Sequence, residues 1–187
     1  MQNRSNMKQH AYTGRLAISA ALILFFIMTG LSSATSADYE WGSPMAAVKK
    51  AMPQGGGATE FTPADDPNYE NKIMSYITAI DADLVKKIVI VRVKAQPMVD
   101  YLFVNDRLYT VMENWGEVEP NKDKEIETGL TTQYGAPLVQ QDKNFYIYSY
   151  NNDKTKVLYY LVKQANGKSK CIVYYYTKKL FRILITE

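Results

Sequence analysis

The chain has 187 residues, with 22 Lys and Arg against 19 Asp and Glu, one histidine and one cysteine. His10 and three of the basic residues fall within positions 1–37, so residues 38–187 hold 19 charges of each sign and no imidazole. This excludes Ser-His-Asp and Cys-His nucleophile pairs and histidine metal sites, removes the basic surplus on which nucleic-acid binding relies, and leaves Cys171 without a partner for an intramolecular disulfide.

Arg4, Lys8 and Arg15 precede the apolar run Leu16–Leu31, and SSATSA follows it. A positive end, an apolar segment and small residues are the layout of a secretory signal. It predicts cleavage after Ala37, with Thr35 and Ala37 at the small positions, and an exported protein of the periplasm or cell envelope. The competing reading is an uncleaved anchor, because sixteen residues fall just short of the ~17–25 that span a bilayer as a helix. In either case the membrane is met only through this segment. The absence of a cysteine near the small residues argues against a lipid anchor. Residues 38–187 are the size of one domain with a sizeable core.

In WGSPMAAVKKAMPQGGG, Ser43 suits a helix N-cap and Pro44 the first helical position. Met45, Val48 and Met52 recur on one face, and Pro53 with Gly55 to Gly57 ends the helix. Residues 58–71 read as a polar loop. KIMSYITAI (72–80) fits a helical stripe through Ile73, Ile77, Ile80 and Leu84, yet its β-branched content favours a strand, which is the expectation adopted. KKIVIVRVKA (86–95) reads as a strand. VDYLFVNDRLYTVMENW reads as a hairpin about Asn105-Asp106, with Val99, Tyr101 and Phe103 facing Thr110, Leu108 and Met112. A second helix is predicted over 122–134, where Ile126, Leu130 and Tyr134 recur and Gly135 and Pro137 stop it. Three strands follow, at 144–150, 156–163 and 170–177, with a short tail.

Two-residue turns at Asn152-Asp153 and Asn166-Gly167 would set the register of these three strands. One face then collects Phe145, Ile147, Leu158, Tyr160, Val162, Cys171, Val173 and Tyr175, and is expected to be the core. The other carries six tyrosines: Tyr146, Tyr148, Tyr150, Tyr159, Tyr174 and Tyr176. Two readings compete for them. Tyrosine is a common strand former, so the rings fit ordinary cross-strand pairs. A flat array of rigid amphipathic rings also suits a protein partner or a sugar. Cys171 reads as a small buried hydrophobe.

Charge is uneven along residues 38–187. Positions 38–127 hold 16 acids and 10 bases, and 128–187 hold 3 acids and 9 bases. Two halves that attract within one fold account for this more simply than a polarised binding surface. Gly167-Lys168-Ser169 lacks the earlier glycine of a phosphate-binding loop, whose place Val162 takes. Asp81 and Asp83 are followed by Leu84 and Val85 where a calcium loop needs further oxygen and a glycine. With Asp65-Asp66 they read as solvated turns. No cofactor is implied.

The order helix, strands, helix, strands, headed by WGSPMAAVKKAM and again by LTTQYGAPL, resembles a class of small secreted bacterial α+β domains. More distantly it is similar to outer-membrane-assembly lipoproteins and β-lactamase-inhibitor-protein folds. The chain lacks the lipoproteins' lipid-bearing cysteine. The resemblance implies an antiparallel sheet with two short helices on one face, a two-part helix-then-strands pseudo-repeat, and action by binding other proteins. The expected function is therefore a non-catalytic envelope module that holds another envelope protein on its tyrosine face. The alternatives are a carboxylate-based hydrolase of envelope polysaccharide and a membrane-tethered structural protein.

Overall fold

The computed structural model describes residues 40–52, 57–66, 69, 71, 74, 75, 77, 79 and 82–178. Residues 1–37, where a signal or anchor is expected, the glycines 55 and 56 and the tail beyond 178 lie outside the described residues. Among the described residues eight strands form one antiparallel sheet. They are β1 (Ala58–Phe61), β2 (Ile88–Val93), β3 (Met98–Val104), β4 (Arg107–Val118), β5 (Leu138–Asp142), β6 (Phe145–Asn151), β7 (Thr155–Lys163) and β8 (Ser169–Thr177). Their spatial order is β1-β2-β3-β4-β8-β7-β6-β5.

Helix α1 (Met45–Ala51) precedes the first four strands and α2 (Pro120–Tyr134) the last four. Each half is a helix followed by a four-strand meander, and the halves join where β4 pairs with β8. The fold is α+β, with both helices on one face. Val48 of α1, Met52 at its C-cap, and Leu130 and Tyr134 of α2 share a buried cluster with Val91, Val111, Tyr159 and Val173.

The helices follow their apolar stripes. Pro44, rather than Ser43, takes the N-cap of α1. Ser43 is held instead at the head of β4, where its carbonyl accepts the Leu108 N–H at 2.9 Å beside the Pro44–Arg107 bridge. Next to it, Trp41 Nε1 donates to Thr155 Oγ1 at 2.8 Å, which ties the segment before α1 to β7. Helix α2 ends on Gly135, whose φ of 84° suits a residue without a side chain.

The region from 72 to 80 departs from the expected strand. Its described positions Met74, Ser75, Ile77 and Ala79 are helical, and a 3-10 helix (Ala82–Lys87) follows. Ile77 and Leu84 are buried on the sheet's other face with Ile88, Ile90, Leu102 and Leu158, so the helical stripe prevails over β-branched propensity. Within the expected polar loop, residues 58–61 form β1, which β2 templates and where Glu60 pairs with Lys49 of α1.

Two register details decide which side chains are buried. Asn105 (φ 49°) and Asp106 (φ 60°) make the expected tight turn between β3 and β4. A bulge between Leu102 and Phe103 then shifts the pairing by one, so Val99 and Tyr101 face Glu113 and Val111 instead of Met112 and Thr110. At the β7–β8 turn, Gln164 N–H donates to Lys168 O at 2.9 Å and Gly167 N–H to Gln164 O at 3.1 Å, with Gly167 at φ 83°. Three residues therefore span a turn expected to hold two, and Cys171 pairs with Leu161, not Val162.

The acid-rich residues 38–127 and the base-rich residues 128–187 meet in ion pairs, beneath α2 and at the β4–β8 joint. Among the described residues, Lys163 pairs with Asp123, and Lys168 with Glu117 and Glu119 at 3.4 and 3.2 Å. Asp123, in the first turn of α2, is buried and also accepts a 2.5 Å hydrogen bond from the buried Ser169 Oγ. Asp123→Ala strands that hydroxyl and is expected to destabilise the fold by about 2 kcal/mol in urea titrations. Glu125→Ala, which removes only the exposed pair with Lys122, is expected to cost less than about 0.5 kcal/mol.

Candidate functional site

The six tyrosines do not share one face. The β6–β7 register, Tyr150↔Val157 and Tyr148↔Tyr159, differs by two residues from the one implied by an Asn152-Asp153 turn. An even shift keeps every side chain on its expected face. The β7–β8 register is off by one and inverts β8. Cys171, Val173 and Tyr175 thus join Tyr150, Val157, Tyr159 and Leu161 beneath α2, while Ile172, Tyr174 and Tyr176 face the opposite way.

Burial narrows the set further. Tyr150 and Tyr159 are sealed in the main cluster, the expected phenol face being the core, and Tyr174 is buried in the other cluster. Tyr176 is half-buried beside Tyr174. Tyr146 and Tyr148 remain half-buried on β6, close to the sheet edge formed by β5.

That edge is the most exposed apolar feature among the described residues. Pro137, which lacks an N–H, follows the end of α2 and leads into β5, and the turn after β5 holds Lys143 at φ 54°. All five β5 residues are exposed, with Leu138 at 78 % and Val139 at 52 %. Val139 lies opposite Tyr148, and Gln141 opposite Tyr146, whose hydroxyl accepts from Gln141 Nε2 at 3.1 Å. Tyr146 stacks on Tyr148 with centroids 6.3 Å apart, and Tyr148 on Tyr159 at 5.3 Å. The inner end of this row is fixed: Tyr159 OH donates to Asp123 O at 3.3 Å and lies 3.2 Å from Cys171 Sγ. Desolvation, and then the nearby Glu127 carboxylate, push the Tyr148 phenol up to about 12, so it stays neutral. The result is a rigid aromatic ladder ending at a strand whose outer backbone pairs with nothing among the described residues. Residues 138–142 lie outside the strands expected from side-chain pattern, although Pro137 and Lys143-Asn144 bracket a five-residue run.

The three buried carboxylates among the described residues are Asp100, Glu113 and Asp123, each at 2 % exposure or less. All three are closed off from solvent. Asp100 accepts two bonds from Arg92, at 2.7 and 2.8 Å, and that guanidinium lies 4.8 Å from the Phe61 ring centre. Cys171 is a buried thiol whose pKa desolvation raises, so it is a poor nucleophile. Glu113 is the unusual one. The β3–β4 bulge turns it inward, where Oε2 accepts from Trp115 Nε1 and Tyr175 OH, both at 3.3 Å, and buried Oε1 has no hydrogen-bond partner among the described residues.

Burial lifts the Glu113 pKa from 4.5 to about 7. The unfolded chain therefore loses this proton first, and the stability Glu113 contributes is fully present below pH 4.5 and is lost as pH rises to about 7. Glu113→Gln removes that dependence. Urea titrations at pH 4.5, 6 and 8 are expected to show the variant gaining on the natural chain with rising pH, by on the order of 3 kcal/mol in all.

Compared with known protein families, curated proteins and solved structures, the chain matches none.

Proposed function

We propose that the protein is a non-catalytic periplasmic or envelope module that binds another protein through the β5 edge and the Tyr146–Tyr148 ladder beside it. The observation that carries this reading is the open strand with Leu138 and Val139 in solvent next to stacked, anchored rings. Edge strands are ordinarily blunted by charge, proline or a bulge, and β5 has none of these over residues 138–141. Half-buried aromatic anchors beside exposed aliphatic side chains have the composition of a binding hot spot. Export is supported by the basic end, apolar run and small residues of positions 1–37. Mass analysis of the protein recovered from its native envelope is expected to give a chain beginning at Asp38, and an intact N-terminus would replace secretion with anchoring.

Affinity capture from native envelope extract tests the docking edge. Val139→Lys combined with Tyr148→Ser is expected to cut recovery of the bound protein at least tenfold while the sheet still melts in one cooperative transition, at a somewhat lower temperature because the Tyr148 ring packs on Tyr159. Thr59→Lys on the opposite edge, β1, is expected to leave recovery unaltered. Equal recovery with both variants refutes the reading.

A further inference from the structure

We infer that the occupant of the β5 edge is a second copy of this chain, added antiparallel about a two-fold axis through Gln140. This rests on the reading of β5 as a protein-binding edge and names the partner. Over five residues, the matching row of donors and acceptors for an open strand is another strand's backbone. A two-fold axis also sets each central residue against its own copy, so a charge there repels itself.

β5 meets that condition. Leu138, Val139, Gln140 and Gln141 carry no charge, and its one acid, Asp142, stands at the end of the strand. The other edge does not: β1 carries Glu60, which is tied to Lys49. With the axis at Gln140 the whole strand overlaps itself and Pro137 stays outside the ladder. Gln140 then lies beside Gln140 of the second copy, where two amides can hydrogen-bond reciprocally. Val139 lies beside the second copy's Gln141, and Leu138 beside its Asp142, which keeps the two Asp142 carboxylates at opposite ends. On the α2 face, the row Tyr159, Tyr148, Val139 continues into Gln141 and Tyr146 of the second copy, because Val139 pairs with Tyr148 and Gln141 with Tyr146 in each chain. The exposed Leu138 and Val139 each gain a cross-strand neighbour on the open side.

Disulfide trapping in the full chain, read on non-reducing gels after mild oxidation, tests this. The natural chain has only the buried Cys171 and is expected to form no cross-linked species, running on the denaturing gel as a single chain. Gln140→Cys puts two thiols across the axis within bridging distance and is expected to cross-link at least tenfold faster than Lys124→Cys, an exposed position on α2. Gln141→Cys, one step along, places its Cα atoms beyond the ~7 Å limit and is expected to stay near the Lys124→Cys rate. Adding Val139→Lys to Gln140→Cys is expected to remove the cross-link. A Gln140→Cys rate no greater than that of Lys124→Cys, or one that Val139→Lys leaves intact, overturns the proposal. If the cross-link is absent but Val139→Lys with Tyr148→Ser still abolishes capture from envelope extract, the edge binds a different protein. If capture is also unaffected, the edge itself is not a binding site.

Discussion

The structure depends on the register with which β8 inserts between β4 and β7. Gly167 adopts a left-handed conformation and lets three residues close the β7–β8 turn. A side chain at that position would strain the backbone, and a two-residue turn would swap the faces of β8. Cys171, Val173 and Tyr175 point under α2 for this reason, and Glu113 meets Tyr175 and Val173 across the β4–β8 pairing.

Burying this many phenols requires a partner for each hydroxyl, since an unpaired polar group in a core is costly. Tyr159 donates to the Asp123 carbonyl, Tyr175 to Glu113, and Tyr150 lies 3.5 Å from Thr131 Oγ1. Two of these three partners sit on α2, which therefore serves both as an apolar lid and as a row of acceptors. The bonds from Lys163 and Ser169 to the Asp123 side chain fix the same helix to the β7–β8 hairpin. With one cysteine in the chain, these polar ties and the packing around them replace disulfides.

Much of this was legible where local periodicity and core packing agree. The stripes Val48 and Met52, and Leu130 and Tyr134, became the buried faces of the two helices, and Asn105-Asp106 became the expected turn. The faces of β6 and β7 were also foreseen, because the Asn152 turn erred by an even number of residues. What stayed hidden was odd-numbered. The bulge after Leu102 and the third residue of the Gly167 turn each invert everything beyond them. They brought Glu113 inward and divided the tyrosines between two faces. The strands β1 and β5 were missed for another reason: each is short, polar in part, and defined by a neighbour's backbone rather than by its own pattern. The exposed edge next to the aromatic ladder was therefore invisible to periodicity, although the ladder's rings were not.

The mirrored strand order has a kinetic consequence. Six of the seven strand pairings among the described residues join consecutive strands, and five of those six are linked by short turns, β1 and β2 alone being separated by the longer stretch 62–87. The seventh, β4 with β8, bridges residues such as Thr110 and Tyr175 that are 65 positions apart. Closing a loop of that length costs more entropy than closing the short turns, which lets each four-strand half pair locally before the two halves join. During that interval β4 and β8 are themselves open edges. The opposite charges of the two halves then act as a guide, drawing Lys168 toward Glu117 and Glu119 at the mouth of the closing joint.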